Sequence, residues 1–238
     1  LVPPTTFKSI ALDGIVYAHH GPDGVTSFTL GPCDLEITAG TTTFIVGGNG
    51  SGKSTLMRVM SGLYPLAAGA IIWDGKLVDA ENVERYRNLF SAVFADFHLF
   101  DRLYGLDGVD PEQVRALLKD VGLADKVQYE DGRFSTVALS TGQRKRLAFV
   151  VALIEDRPIY VLDELSADQD PAFRKRYYDE FLPALKARGK TLLVNDPRGL
   201  REANEKLYIF HFPELLAPTI VDARPERLRR SEEHTSEL

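Results

Sequence analysis

The sequence predicts an α/β fold: a parallel sheet with crossover helices, an antiparallel β element at the start and a helical subdomain inserted between. Three observations predict it. A glycine-rich stretch, Gly47-Gly48-Asn49-Gly50-Ser51-Gly52-Lys53-Ser54-Thr55, follows the apolar run Thr43-Phe44-Ile45-Val46 and precedes helically spaced Leu56, Met57, Val59 and Met60. A second apolar run, Ile159-Tyr160-Val161-Leu162, ends on the paired acids Asp163-Glu164. From residue 141 to 194 helix-like and strand-like segments alternate, which is the pattern of a parallel sheet with crossovers.

The scale fits. The chain has 238 residues, 44% hydrophobic and 26% charged, enough for one α/β domain with a small subdomain. Its net charge of −6 disfavours a nucleic-acid partner held on a broadly basic surface. The lone Cys33 excludes an internal disulfide framework and a multi-cysteine metal site, and reads as a small buried hydrophobe. No apolar run approaches the ~20 residues that span a bilayer.

Taken in order, residues 1–6 (Leu1-Val2-Pro3-Pro4-Thr5-Thr6) read as a linker. Residues 7–221 read as the folded domain. Short β-like runs at 9–16, 27–30, 34–37 and 42–46, separated by Gly, Pro and Asp, predict the antiparallel element. The helix after the glycine-rich loop stops near Gly62-Leu63-Tyr64-Pro65. Residues 70–73 before Asp74-Gly75 predict a strand and tight turn, 83–88 a helix and 89–94 a strand. From 105 to 136 the pattern is helical, with Asp110-Pro111 as a helix start and Val114, Leu117, Leu118 and Val121 in amphipathic spacing. The helical subdomain spans about 97–150. A helix over 141–155, a strand over 159–162, a helix over 172–188 ending at Gly189 and a strand over 191–194 complete the core. Residues 222–238 read as a disordered tail. Its end, Arg230-Ser231-Glu232-Glu233-His234-Thr235-Ser236-Glu237-Leu238, reads as a translated sequencing adapter and as no part of the fold.

The glycine-rich stretch fits G-x-x-x-x-G-K-[ST] without mismatch, in the strand, loop, helix context its mechanism requires. Backbone N–H groups from Gly47 through Gly52, including Asn49, Gly50 and Ser51, converge on phosphates, and the helix N-terminus adds partial positive charge. Lys53 is placed to reach the β and γ phosphates, and the Ser54 hydroxyl, beside Thr55, to ligate Mg²⁺. Asp163 lies at the carboxyl end of a buried strand, where open α/β sheets bind ligands, and suits a hard cation. Glu164 suits the general base for water attacking a γ phosphate.

Upstream of those acids, Leu139-Ser140-Thr141-Gly142-Gln143-Arg144-Lys145-Arg146 resembles the L-S-G-G-Q signature of ATP-binding-cassette proteins. By itself it is a capped helix start. In the order glycine-rich loop, signature, paired acids, the chain is identified as a member of that family, built on a P-loop NTPase core with a helical signature subdomain. The glycine-rich loop, Ser91-Ala92-Val93-Phe94, Phe97-His98-Leu99-Phe100-Asp101 and Ser166-Ala167-Asp168-Gln169-Asp170-Pro171 are most similar to bacterial exporters of cyclic or lasso peptides and peptide siderophores. The resemblance implies ATP and Mg²⁺ as cofactors and a head-to-tail dimer in which Ser140, Gly142 and Gln143 of one copy complete the ATP site of the other. It implies that Asp170 communicates across that dimer. It also implies a membrane domain fused ahead of the linker, and a location on the cytoplasmic face of the bacterial inner membrane.

Three positions depart from the family pattern. The aromatic residue that stacks on adenine falls at His19, with Tyr17 second, two residues earlier on the same strand face. The glutamine linking metal and membrane domain falls at Ala95. The histidine expected after residues 191–194 is missing from Asn195-Asp196-Pro197-Arg198-Gly199, which leaves three explanations: a sequence error, compensation by Asn195, or slow turnover. The expected function is the ATP-hydrolysing domain of a peptide exporter. Alternatives are an ATP-dependent dimerising module that hydrolyses little, or a soluble cassette ATPase outside transport.

Overall fold

The computed structural model describes residues 6–106 and 108–195, with the backbone of strand 218–220. Most of the expected linker, the tail and Asp196 through Gly199 lie outside the described residues.

Two sheets organise the chain. The first is antiparallel, with order β2-β1-β4-β5, from β1 (Ser9–His20), β2 (Thr26–Thr38), β4 (Ala68–Trp73) and β5 (Lys76–Leu77). Between its members the chain contributes β3 (Thr42–Val46) and α1 (Lys53–Met60) to the second layer. The runs at 27–30 and 34–37, expected as separate strands, are one strand, β2. Gly31-Pro32 reads as a turn in sequence, yet here it sits where the pairing with β1 slips between Cys33 and Leu30. Gly31 takes φ +99, and a Cβ there would lie 2.1 Å from the Ile15 carbonyl oxygen, so only glycine lets the bulged strand pass β1 at this distance.

The second sheet is parallel. After α2 (Val83–Arg87) come β6 (Phe90–Val93), α3 (Pro111–Asp120), the hairpin strands β7 (Tyr129–Glu130) and β8 (Arg133–Phe134), and α4 (Thr141–Glu155). Then follow β9 (Ile159–Asp163), α5 (Pro171–Arg176), α6 (Leu182–Ala187), β10 (Thr191–Asn195) and β11 (Pro218–Ile220), giving the order β11-β3-β10-β9-β6. The helix expected over 172–188 is interrupted by a π turn at Tyr177–Phe181. The widening falls just before Pro183, which has no N–H to return to the carbonyl one turn earlier.

The inserted subdomain is less helical than its pattern predicts. Among the described residues between β6 and α4 it holds one helix, α3, capped by Asp110 accepting from the Glu112 N–H, and the β7–β8 hairpin. Asp131 at φ 50 and Gly132 at φ 76 make the hairpin turn, and Tyr129 packs on Phe134 across it with centroids 5.2 Å apart. An Asp-Gly pair between aromatics is a hairpin signal that the surrounding helical spacing masked.

Side chains of the parallel strands alternate between two cores. Ile159, Val161 and Leu193 face α1 and the antiparallel sheet, with Ile45, Leu56, Met57 and Met60. Tyr160, Leu162, Leu192 and Val194 face the other way, onto Leu147, Val150 and Leu153 of α4 and Leu182 and Leu185 near α6. Burial on both faces explains why β9 and β10 read as unbroken apolar runs. Among the described residues no helix is long and apolar enough to cross a membrane.

Met57 is fully buried between the two sheets. Met57→Ala is expected to lower stability by about 2–5 kcal/mol, with the denaturant midpoint falling and the slope unchanged. Val25→Ser, at a residue 62% exposed on the β1–β2 turn, is expected to stay within about 0.5 kcal/mol of the parent.

Candidate phosphate-binding site

The carboxyl edge of the parallel sheet is where the chain's polar groups collect. Strand β3 delivers the chain there at Val46, and residues 47–52 return it into α1. Gly50 and Gly52 take φ +75 and +93, which admits the tight turn. Gly52 also packs against β2: a Cβ there would lie 2.9 Å from Phe28 Cζ and 3.0 Å from Leu30 Cδ1. Lys53 opens the helix, and its buried ammonium donates to the carbonyls of Gly47 (3.1 Å) and Gly48 (3.0 Å). The Ser51 hydroxyl is buried with no hydrogen-bond partner, an unusual state for a polar atom inside a protein.

These residues line a pocket of about 350 Å³ with Phe28, Asn49, Gly50, Ser51, Gly52, Lys53, Ser54, Thr55 and Glu164. Glu164 enters from β9. It follows the last strand residue with φ 54, a left-handed conformation that costs a non-glycine residue on the order of 1–3 kcal/mol. The backbone is held there from both sides. Its N–H donates to the Asn195 carbonyl (2.7 Å), and its carbonyl accepts from Lys145 Nζ of α4 (2.9 Å) and from the Ala167 N–H (3.2 Å).

Asp163 is fully buried at the end of β9. Its Oδ1 accepts from Asn195 Nδ2 (2.6 Å) and its Oδ2 from the Ala95 N–H (3.4 Å). Asn195, in the stretch that lacks the expected histidine, thus orients the carboxylate through its side-chain amide, and Ala95, in the usual glutamine's place, does so through its backbone N–H. Asn195 Oδ1 is buried without a partner. Asp163 lies behind the pocket lining, beside Glu164, and a carboxylate with two donors keeps lone pairs to spare, the hard oxygen chemistry that suits Mg²⁺.

The other sequence-predicted residues lie elsewhere. Ser140 and Gln143 close a capping box at the start of α4: Ser140 Oγ accepts from the Gln143 N–H (3.4 Å) and Gln143 Oε1 from the Ser140 N–H (3.2 Å). Gly142 sits against the loop after β9, where a Cβ would come 2.5 Å from the Asp168 carbonyl oxygen. Neither these three nor Asp170 lines the pocket of this copy. Asp170 caps α5 by accepting from the Phe173 N–H (2.9 Å) and is paired with Arg146, and these two contacts hold its carboxyl below the usual carboxylate range. Tyr17 belongs to the core, its ring stacked on Tyr64 at 5.1 Å and 18°. His19 is exposed, bonded through Nδ1 to Ser27 Oγ (2.9 Å), and lies directly across the strand pair from Phe28.

Three residues at the site were not singled out by sequence: Phe28, Lys145 and the amide of Asn195 as a partner of Asp163. Phe28 had a signal, since it alternates with buried Leu30 and therefore shares its inward face. The other two had none, because their roles come from contacts between segments far apart in the chain.

Comparison with known proteins agrees with this geometry. A family model described as ABC transporter matches residues 30–167, more than half of the chain. The chain is 50% identical over 193 residues to ATP-binding protein SyrD of Pseudomonas syringae pv. syringae, covering 79% of this chain and 34% of that protein. It is 31% identical over 199 residues to the mycobactin import ATP-binding/permease protein IrtB of Mycolicibacterium thermoresistibile, covering 79% and 33%. It thus spans about a third of the length of these relatives. In fold it matches a bacterial Atm1-family ABC exporter with ATP bound (TM-score 0.68, 24% identity, 86% of this chain and 37% of that one). It also matches cbiO1 of Clostridium perfringens, part of the ABC transporter complex cbiONQ (TM-score 0.60, 25% identity, 81% and 79%). With the glycine-rich loop, the capped signature helix and the paired acids arranged as above, the chain belongs to the ABC transporter family and is an ATPase domain of that family.

Proposed function

We propose that this domain binds ATP with Mg²⁺ in the 350 Å³ pocket, hydrolyses it between two copies of itself, and powers export of a peptide-type substrate through a membrane domain of the same polypeptide. The observation that carries the reading is that Glu164, from β9, lines the same pocket as residues 49–55. Lys53 exchanges the carbonyls of Gly47 and Gly48 for the β and γ phosphates, and the unpartnered Ser51 hydroxyl gains an acceptor. Ser54 and Asp163 are the residues that would hold Mg²⁺, which neutralises phosphate charge when bound. Glu164 takes a proton from water as its oxygen attacks the γ phosphorus. The bond to the bridging oxygen breaks, and ADP and phosphate leave.

The rest of the assembly rests on the family resemblance and on what the pocket lacks. Ser140, Gly142 and Gln143 stand outside their own copy's pocket, which fits a site completed by the signature of a second copy. Relatives named as ATP-binding/permease proteins support a fused membrane domain and hence a place at the cytoplasmic face of the membrane. The base subsite is His19 with Phe28, side by side across β1 and β2 above Gly52. A second reading, a dimerising module that hydrolyses slowly, is favoured by Asn195, which stands where a histidine is expected, carries no positive charge and has one of its two amide N–H donors engaged with Asp163.

Two variants separate binding from chemistry. Lys53→Ala is expected to weaken MgATP binding by about 10–100-fold, the loss of a charged hydrogen bond. Glu164→Gln is expected to bind MgATP as the parent does, to lower turnover by about 10²–10⁴-fold and to accumulate as an ATP-bound dimer in size-exclusion chromatography. Parental turnover in Glu164→Gln would remove the base from the mechanism. Parental turnover below one per minute with an ATP-dependent dimer would favour the second reading.

Phe28→Ala is expected to weaken ATP binding by about 5–100-fold, the range of one base–aromatic contact, while inorganic triphosphate binds as before. Equal losses for both ligands in calorimetry would place Phe28 under the loop and not beside the base. DNA sequence ahead of the codon for Leu1 is expected to encode a membrane domain, and a reading frame without apolar spans would overturn the fused exporter.

A further inference from the structure

We propose that Lys145 is a positioning residue that ties the signature helix to the backbone of the general base. The inference rests on the assignment of Glu164 above. Lys145 lies in the first turns of α4, and its side chain is only 4% exposed. Its ammonium donates to two groups of one loop, the Glu164 carbonyl (2.9 Å) and Asp168 Oδ2 (2.7 Å). A lysine is seldom buried to this extent without a task, because its charge must find fixed acceptors to replace water. Here the acceptors are the backbone of the residue carrying the base and the carboxylate four positions later.

The conformation of Glu164 makes that contact consequential. A left-handed glutamate has no intrinsic preference for its place, so neighbouring bonds must define it. One is the N–H bond to the Asn195 carbonyl, which comes from within the sheet. On the other side the Glu164 carbonyl accepts from the Ala167 N–H of its own loop (3.2 Å) and from Lys145, and the lysine is the partner that comes from α4, the helix whose start carries Ser140, Gly142 and Gln143. Three further contacts fasten α4 to the same loop: Gln169 Nε2 to the Gly142 carbonyl (3.0 Å), Arg146 Nε to Gln169 Oε1 (2.7 Å), and Arg146 with Asp170. These dock the loop, but none touches Glu164. Lys145 alone among the described residues of α4 is bonded to the base residue, so a displacement of the helix start reaches Glu164 through it.

The design of the variant follows from exposure. Asp168 is about half exposed, so water can replace the ammonium there, whereas the Glu164 carbonyl loses its donor from α4 and keeps only the Ala167 N–H of its own loop. Lys145→Met keeps the length and apolar stem of the side chain and leaves the Arg146 and Gln169 contacts intact. Lys145→Gln restores one N–H donor.

The test uses the full chain and measures ATP turnover, KM for MgATP and amide hydrogen exchange resolved to segments 162–170 and 44–56. Lys145→Met is expected to lower kcat by about tenfold or more with KM within about threefold, the pattern of a misplaced base. Exchange should quicken in 162–170 and stay as in the parent in 44–56. Lys145→Gln should recover a substantial part of both. Unchanged exchange in 162–170 overturns the proposal, and so does exchange that quickens equally in both segments, which would make Lys145 a general support of the fold. Glu164→Gln run alongside separates the two levels: if it turns over at the parental rate the base assignment falls, whatever Lys145 does. If it is inactive while Lys145→Met keeps parental kcat, only the positioning role is lost.

Discussion

The constraint on which the rest of this structure depends is that the strands of the parallel sheet are buried on both faces. Side chains of β9 and β10 are divided between two apolar cores, so no polar group can sit along their length without losing water. Every polar function is therefore pushed to the strand ends. At the carboxyl edge β3, β10, β9 and β6 deliver the glycine loop, Asn195, Asp163 with Glu164, and Ala95 to neighbouring positions because the strands are hydrogen-bonded neighbours in that order. Chemistry at this edge is a consequence of the sheet's apolar interior, and the site needs no long loops to assemble it.

Concentrating charge at a buried edge has a cost, and the structure offsets it largely with neutral dipoles. Lys53 is held by two loop carbonyls, Lys145 by the Glu164 carbonyl and the Asp168 carboxylate, and Asp163 by the Asn195 side-chain amide and the Ala95 N–H. Carbonyl partners suit Lys53 in particular. They hold the ammonium firmly enough to bury it, yet they are weaker partners than an anionic phosphate, so in the proposed site a triphosphate displaces them without a competing carboxylate to leave. The Ser51 hydroxyl in the same loop is likewise without a hydrogen-bond partner, which fits the ligand oxygens proposed for this site.

How much of this was legible in the sequence depended on whether the determinant was local. The glycine loop, β9 with its acids and the Ser140–Gln143 capping box are written within a few residues, and the structure places each in the element its pattern implied. Strand β2 was divided at Gly31-Pro32 because a turn dipeptide and a bulge share residues, and only the pairing with Ile15 distinguishes them. The β7–β8 hairpin lies within a stretch of helical spacing, and Asp131-Gly132 is its one local signal. Lys145 could not be read at all: in sequence it is one of three consecutive cations on a helix, and only the approach of the loop after β9 separates it from Arg144 and Arg146. The same holds for Asn195, which looks like a defect where a histidine was expected and is, in the fold, the partner of Asp163.

The start of the signature helix fits the proposal that it acts on the nucleotide of a second copy. Ser140 and Gln143 satisfy one another, Arg144 N–H donates to the Ser140 carbonyl, and Gly142 is pressed onto the Asp168 carbonyl. What the helix start has left to give is the pair of N–H groups at Thr141 and Gly142, for which α4 itself has no acceptor, together with its positive end. Such a group attracts a phosphate, but within one copy it lies outside the pocket that would hold it. The capping box fixes the direction of those N–H groups, and Lys145, one turn on, fixes Glu164 relative to them. In the proposed dimer, α4 then presents donors to the partner's nucleotide with one end while its lysine holds the base that acts on its own. On that proposal a single helix touches both sites, which is the geometry that a dependence of hydrolysis at one on occupancy of the other requires.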